Sequence, residues 1–150
     1  MTNKFFRFLI SLITSDKRAK LLKRIKKEGF PNKEVFVSVT DFFDGNNDVG
    51  SIGVNLYPNQ PPLKKFYDTL IAIEQDTKTK ILLVRIADID DTEWFHTDTV
   101  YISGDYSLND VKKLFKQLKP DEIFEGKMFD KPSNIPPIES DNKDYSVWWD

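Results

Sequence analysis

Apolar positions return every three to four residues near the start of the chain, alternate from about residue 34, and return to helical spacing twice more. Phe5, Phe6, Leu9, Leu12 and Ile13 fall near one face at helical spacing, and Leu21, Leu22 and Ile25 repeat the pattern among Lys17, Arg18, Lys20, Lys23, Arg24, Lys26 and Lys27. Thr14, Ser15 and Asp16 between the two sets offer an N-cap for a second helix or simply a continuation. Gly29 and Pro31 end the helical stretch. The expected role of the first turns is a helix covering one side of the core, and the competing role is a basic amphipathic helix touching a membrane. The lysines are expected on a solvated face.

EVFVSVTDFF (34–43) alternates Val35, Val37 and Val39 and reads as a strand. DGNNDVG follows as a loop, and SIGVNL as a short strand pairing back in a hairpin, with Gly53 marking a bulge or a close backbone approach. After YPNQPP breaks the chain, residues 63–75 predict an amphipathic helix with Phe66, Leu70 and Ile73 inward. ILLVRIADI (81–89) is the most apolar run and predicts a central strand, and TVYIS (99–103) predicts the next. Ser107 and Asp110 form a capping box for a helix that Pro120 stops. EIFEGKMF and YSVWWD supply one or two closing strands around a proline-rich loop, and of the adjacent Trp148 and Trp149 one should face inward. The expected fold is α+β, a mainly antiparallel sheet with ββα twice, one or two C-terminal strands and a basic helix in front.

Composition narrows this to one domain of 150 residues, with 39% hydrophobic and 31% charged residues. Charge is divided unevenly. Residues 1–33 hold ten Lys/Arg against two acids, a net +8, and residues 34–150 hold twelve against twenty-two, a net −10. The expected layout is a basic helical arm (1–33) on an acidic body (34–150), whose charge disfavours nucleic acid and favours a basic partner. Lys4 and Arg7 beside an apolar run resemble a signal peptide, yet Arg7 interrupts the run and no small-residue cleavage site follows, so mature protein is expected. The run is also too short to cross a bilayer. The absence of cysteine removes disulfides, thiolate metal sites and a cysteine nucleophile, and suits a cytoplasmic setting.

Two acidic groups carry the candidate chemistry. The first, DFFDGNNDVGSIGVNL (41–56), holds three aspartates, three asparagines and three glycines. Counted from Asp44 as a calcium loop, it puts Val49 where the turn needs Gly and Asn55 where a bidentate Glu belongs. The second holds Asp88, Asp90, Asp91 and Glu93, then Trp94, His96 and Asp98. A single histidine is a poor zinc signal, no G-x-S-x-G elbow surrounds Ser51 or Ser103, and phosphate-loop and dinucleotide motifs are absent. Phe42, Phe43, Trp94 and Tyr101 lie among acids, which speaks against direct nucleic-acid binding.

Three stretches, FFDGNNDVGSIGVNL (42–56), TEWFHTDTVYI (92–102) and YSVWWD (145–150), resemble a group of small bacterial proteins, mostly of unassigned function, with FFDGN-x-D-x-GSIG-x-N, Trp…DTVYI and closing WWD motifs. The resemblance covers about residues 35–150. It implies a cytosolic bacterial protein and brings no catalytic residues, and by analogy of type it suggests an immunity partner of a secreted toxin. The expected function is therefore a protein-binding module, an immunity protein neutralising a basic, nuclease-like toxin domain. Asp41, Asp44, Asp48, Asp90, Asp91 and Glu93 would supply charge and Trp94 an anchor. No cofactor or metal is implied. The alternative is a metal-assisted hydrolase using the acidic loops and His96.

Overall fold

A single helix, α1 (Lys4–Lys27), runs through the point where the sequence left a break open. Asn3 caps it by accepting from the Phe5 amide at 3.1 Å, so Thr14, Ser15 and Asp16 are interior residues and not a second cap. The structure is a computed structural model that describes residues 3–91 and 93–150. The apolar side of α1 changes direction halfway along. Leu21 and Ile25 are buried in the core, whereas Phe5, Phe6, Phe8, Leu9, Ile10, Leu12 and Ile13 are all exposed. The expectation of a core-covering first half is therefore corrected: among the described residues only the second half of α1 contributes to the core.

The first apolar run does not build a hairpin. β1 is only Phe36–Val37, and Ser38 then starts a short helix, α2 (Val39–Phe43), by accepting from the Asp41 amide at 3.0 Å. A serine cap with an acid in the first turn outweighs the strand preference of valine and phenylalanine. SIGVNL pairs with nothing before it. Ile52 makes an isolated bridge with Thr97, and Gly53 opens a 3-10 turn over Val54–Leu56. Gly53 has φ +65, and a Cβ there would meet the ring edge of buried Phe66 at 3.0 Å. The close backbone approach expected at Gly53 is present; the hairpin is not.

The remaining elements lie near their expected places, except for a small β3–β4 pair where a single strand and a plain connection were expected. They are α3 (Leu63–Gln75), β2 (Thr79–Arg85), a small pair of β3 (Asp88–Ile89) with β4 (Phe95–His96), β5 (Thr99–Gly104), α4 (Leu108–Phe115), β6 (Glu122–Glu125) and β7 (Lys143–Trp148). The main sheet runs β1-β2-β5-β7-β6 with every pairing antiparallel, so the fold is α+β. The apolar run 81–89 is divided between two sheets, and the middle strand is β5, all six of whose residues are buried. Val37, Val84, Val100, Val147 and Ile123 form one row across the five strands, cross-paired in register. That face joins Phe66 and Leu70 of α3 and Val111 and Phe115 of α4 in one core. Phe129, expected in the closing strand but lying beyond the end of β6 at Glu125, packs tilted against Phe36 and edge-on against Tyr101 of the main sheet, with ring centres 4.9 and 6.3 Å apart. The Ser107–Asp110 capping box opens α4, and the hydrogen bonds from Ser107 hold the Asp110 carboxyl below its ordinary range.

At the end of β5 the chain passes so close to Lys78 that a Cβ on Gly104 would fall on the Lys78 carbonyl oxygen. Gly104→Ala is expected to cost about 1 to 3 kcal/mol, read as a lower urea midpoint at unchanged slope. An unchanged midpoint would mean that the β2–β5 end is not packed as described.

Candidate functional site

The two acidic groups converge, and what they converge on is the basic helix of the same chain. The α2 end and following loop bring Asp41, Asp44 and Asp48, while the β3–β4 connection brings Asp90, Asp91 and Glu93. Lys17 Nζ lies 2.6 Å from Asp44 Oδ1, and Arg24 Nη1 lies 2.8 Å from Asp41 Oδ2. Arg18 crosses to the second group, donating from Nε to the Glu93 carbonyl at 2.8 Å and from Nη2 to the Asp90 carbonyl. Its guanidinium also sits 5.3 Å from the centre of the Phe95 ring. These three cations stand on the side of α1 that carries Leu21 and Ile25, so the helix is docked by apolar burial in its second half and by charge along its flank.

Between α1 and the loops runs an open groove of about 570 Å³. Arg7, Ser11 and Arg18 line one wall, and Asn47, Asp48, Asp91 and Glu93 line the other. Asp48 also structures the loop: its Oδ1 accepts from the Gly50 amide at 2.8 Å, and Asn46 Oδ1 accepts from the Asp48 amide at 2.9 Å. Buried Asn46 donates to Ser51 Oγ at 2.9 Å. The amide and carboxylate side chains that suggested a cation loop are thus used largely to turn the backbone, as such residues commonly are. Asp44, Asp90, Asp91 and Glu93 are exposed, and Asp41 and Asp48 are half-buried.

Trp94 is not a surface anchor. It is 5% exposed, its Nε1 donates to the Phe42 carbonyl at 2.7 Å, and its ring packs edge-on against Phe95. The expected anchor role is corrected, because the indole joins the second acidic group to α2 and leaves only the groove floor to it. Phe42 and Tyr101 are likewise buried.

The residues expected for acid–base or metal chemistry separate. His96 Nδ1 faces the Gly50 carbonyl at 3.3 Å, while Asp98 accepts from Arg85 Nη1 at 2.8 Å and from Thr99 Oγ1 at 2.8 Å. Glu93 lies at the groove. Among the described residues no three His, Asp or Glu side chains come together to hold a metal ion. The arrangement is suited to accepting cationic side chains and already accepts Lys17, Arg18 and Arg24. These contacts are weak individually. Lys17 and Asp44 are 41% and 54% exposed, a setting in which an ion pair contributes about 0.2 to 1 kcal/mol.

The sequence reads as a basic helix and an acidic body side by side, without joining the two. The signal was available: Lys17, Leu21 and Arg24, and Arg18, Leu21 and Ile25, share helical faces by i, i+3 and i+4 spacing.

The family model described as "Uncharacterized protein YfbO family" matches residues 16–147. The chain is 29% identical over 115 residues to "Uncharacterized protein YfbO" of Escherichia coli (strain K12), covering 76% of this chain and 81% of that protein. No solved structure matches it.

Proposed function

The chain belongs to the YfbO family, and we propose that this member is a cytosolic protein-binding module whose acidic groove takes a basic polypeptide segment. The observation that carries the reading is the docking of Lys17, Arg18 and Arg24 on the acidic loops, which makes α1 an internal example of the ligand chemistry. In its finer form the partner is a basic, nuclease-like toxin domain and the chain is its immunity protein. A body of net −10 supports this, because clustered carboxylates steer and orient a cationic partner even where each pair adds little affinity. A foreign segment would meet Asp48, Asp91 and Glu93 along the open wall. It could also exchange with α1 at Asp41 and Asp44, since surface ion pairs of this kind are cheap to exchange. A metal-assisted hydrolase gains no support from His96 and Asp98, whose partners draw them away from the groove.

The test is co-purification of the full-length chain with the product of its neighbouring gene, followed by calorimetry in low and high salt. Asp48→Asn/Asp91→Asn/Glu93→Gln is expected to weaken binding about tenfold or more and to flatten its salt dependence, at about 1 kcal/mol or less for each charge. No sub-micromolar basic partner, or a partner indifferent to the triple change, overturns the proposal.

A further inference from the structure

We propose that the outward face of α1 is a docking surface for an anionic lipid bilayer, on which the helix lies flat without crossing. The helix is turned inside out over its first turns. At about 100° per residue, Phe5, Phe6, Phe8, Leu9, Leu12 and Ile13 share an arc of about 160°. All six are exposed, between 40% (Leu9) and 65% (Phe5). The side facing the body is mainly polar: Arg7, Ser11, Thr14 and Arg18 line the groove with Ile10 as the one large apolar side chain among them, and Leu21 and Ile25 continue that side into the core. Six contiguous large apolar side chains on one helical arc are an interaction surface, unlike single exposed apolar residues, which are ordinary.

Charge identifies the occupant. By the same spacing Lys20, Lys23, Lys26 and Lys27 fall on the outward arc, directly after the apolar turns, and all four are exposed. An apolar segment followed on the same face by a row of lysines matches acyl chains beneath a negatively charged headgroup layer. Asp16, the one acid on that arc, is paired with Lys20 at 3.2 Å. The acidic loops lie across the helix from this face, held there by Lys17, Arg18 and Arg24, so a bilayer meets the basic side of the molecule first. No helix among the described residues is long and apolar enough to cross a membrane, and the apolar turns 5–13 are about 14 Å long, which suits lying in the interface. The apolar turns precede residue 16, where the family match begins, and their exposed arc points away from the groove, so the proposal does not rest on the groove reading.

Flotation of the full-length chain with vesicles tests the surface, comparing phosphatidylglycerol–phosphatidylcholine mixtures with phosphatidylcholine alone. Binding is expected on the anionic vesicles and to weaken as salt is raised. Phe5→Ser/Leu9→Ser/Leu12→Ser is expected to reduce it by at least about a hundredfold, with an unchanged melting temperature because the three side chains are exposed. Changing Lys20, Lys23, Lys26 and Lys27 to Gln is expected to cost about fivefold for each lysine. Failure to float with anionic vesicles overturns the proposal, as does flotation indifferent to the serine variant. So does light scattering that shows a dimer dissociated by the serine variant, since a second copy would then be the occupant.

Discussion

Arg85→Met is expected to lower the free energy of unfolding by about 3 kcal/mol, the lower end of what removing one partner from a buried ion pair costs. Arg85 Nε donates to Glu34 Oε2 at 3.0 Å and its Nη1 to Asp98 Oδ1 at 2.8 Å, with the Arg85 side chain 23% exposed and the Glu34 side chain only 11%. Burial by itself would lower the Arg85 pKa, but the hydrogen bonds and charges of Glu34 and Asp98 reverse it and leave it raised. Methionine fills similar space and leaves a carboxylate at Glu34 with poor access to water, and that stranded charge is the source of the loss. Asp98 is 30% exposed and keeps the Thr99 hydroxyl, which is why the lower figure applies. Urea unfolding measures it. Glu34→Leu/Arg85→Met should recover most of the loss, because the desolvation of both ions disappears together. A single variant within 0.5 kcal/mol of wild type, about the scatter of ordinary surface changes, would falsify the network.

That network explains part of what the sequence could and could not convey. Asp98 sits in an acidic stretch next to His96, and its types alone suggest acid–base chemistry. Its partner, Arg85, stands on the neighbouring strand and meets it only once β2 and β5 pair, so no local pattern announces an ion pair. α3, β5, α4 and the two closing strands β6 and β7 were legible because each has an apolar or β-branched run or a cap in its own residues. EVFVSVTDFF misled because strand propensity is weak against one well-placed cap, and Ser38 with Asp41 is such a cap. The groove was half legible. Opposite charges at opposite ends of the chain can be counted in the sequence, but their meeting depends on Leu21 and Ile25 docking α1, which is a tertiary event. An aromatic among acids suits an interface, so the sequence suggests Trp94 as a contact residue; its burial against Phe95 and its bond to the Phe42 carbonyl arise only in the tertiary fold. The outward apolar arc was visible as a pattern. Its direction was not, since periodicity states that a helix has an apolar side without stating what covers it.

Trp149→Ala is expected to cost about 3 to 5 kcal/mol, and Trp148→Ala, one residue earlier, about 1 kcal/mol. The two side chains leave the closing stretch on opposite faces. Trp149 is 1% exposed, packs edge-on against Phe66 with ring centres 5.8 Å apart, and donates from Nε1 to the Leu118 carbonyl at 2.9 Å. Alanine there opens a cavity beside Phe66 and removes the indole donor from the Leu118 carbonyl, where loss of a partner costs about 1 to 3 kcal/mol if no water replaces it. Trp148 is half-buried at the end of β7, paired across from Thr99 and Glu122, and its removal opens no enclosed space. Differential scanning calorimetry separates them. At about 2 to 4 °C per kcal/mol for a chain of this size, Trp149→Ala should melt roughly 10 °C below wild type and Trp148→Ala only a few degrees below. Trp149→Phe should fall between, because it restores most of the volume while still losing the bond to Leu118. If the two alanine variants melted together, the inward assignment of Trp149 would fail. The anchoring of α3 and the 3-10 turn Lys116–Leu118 to the end of the sheet would fail with it.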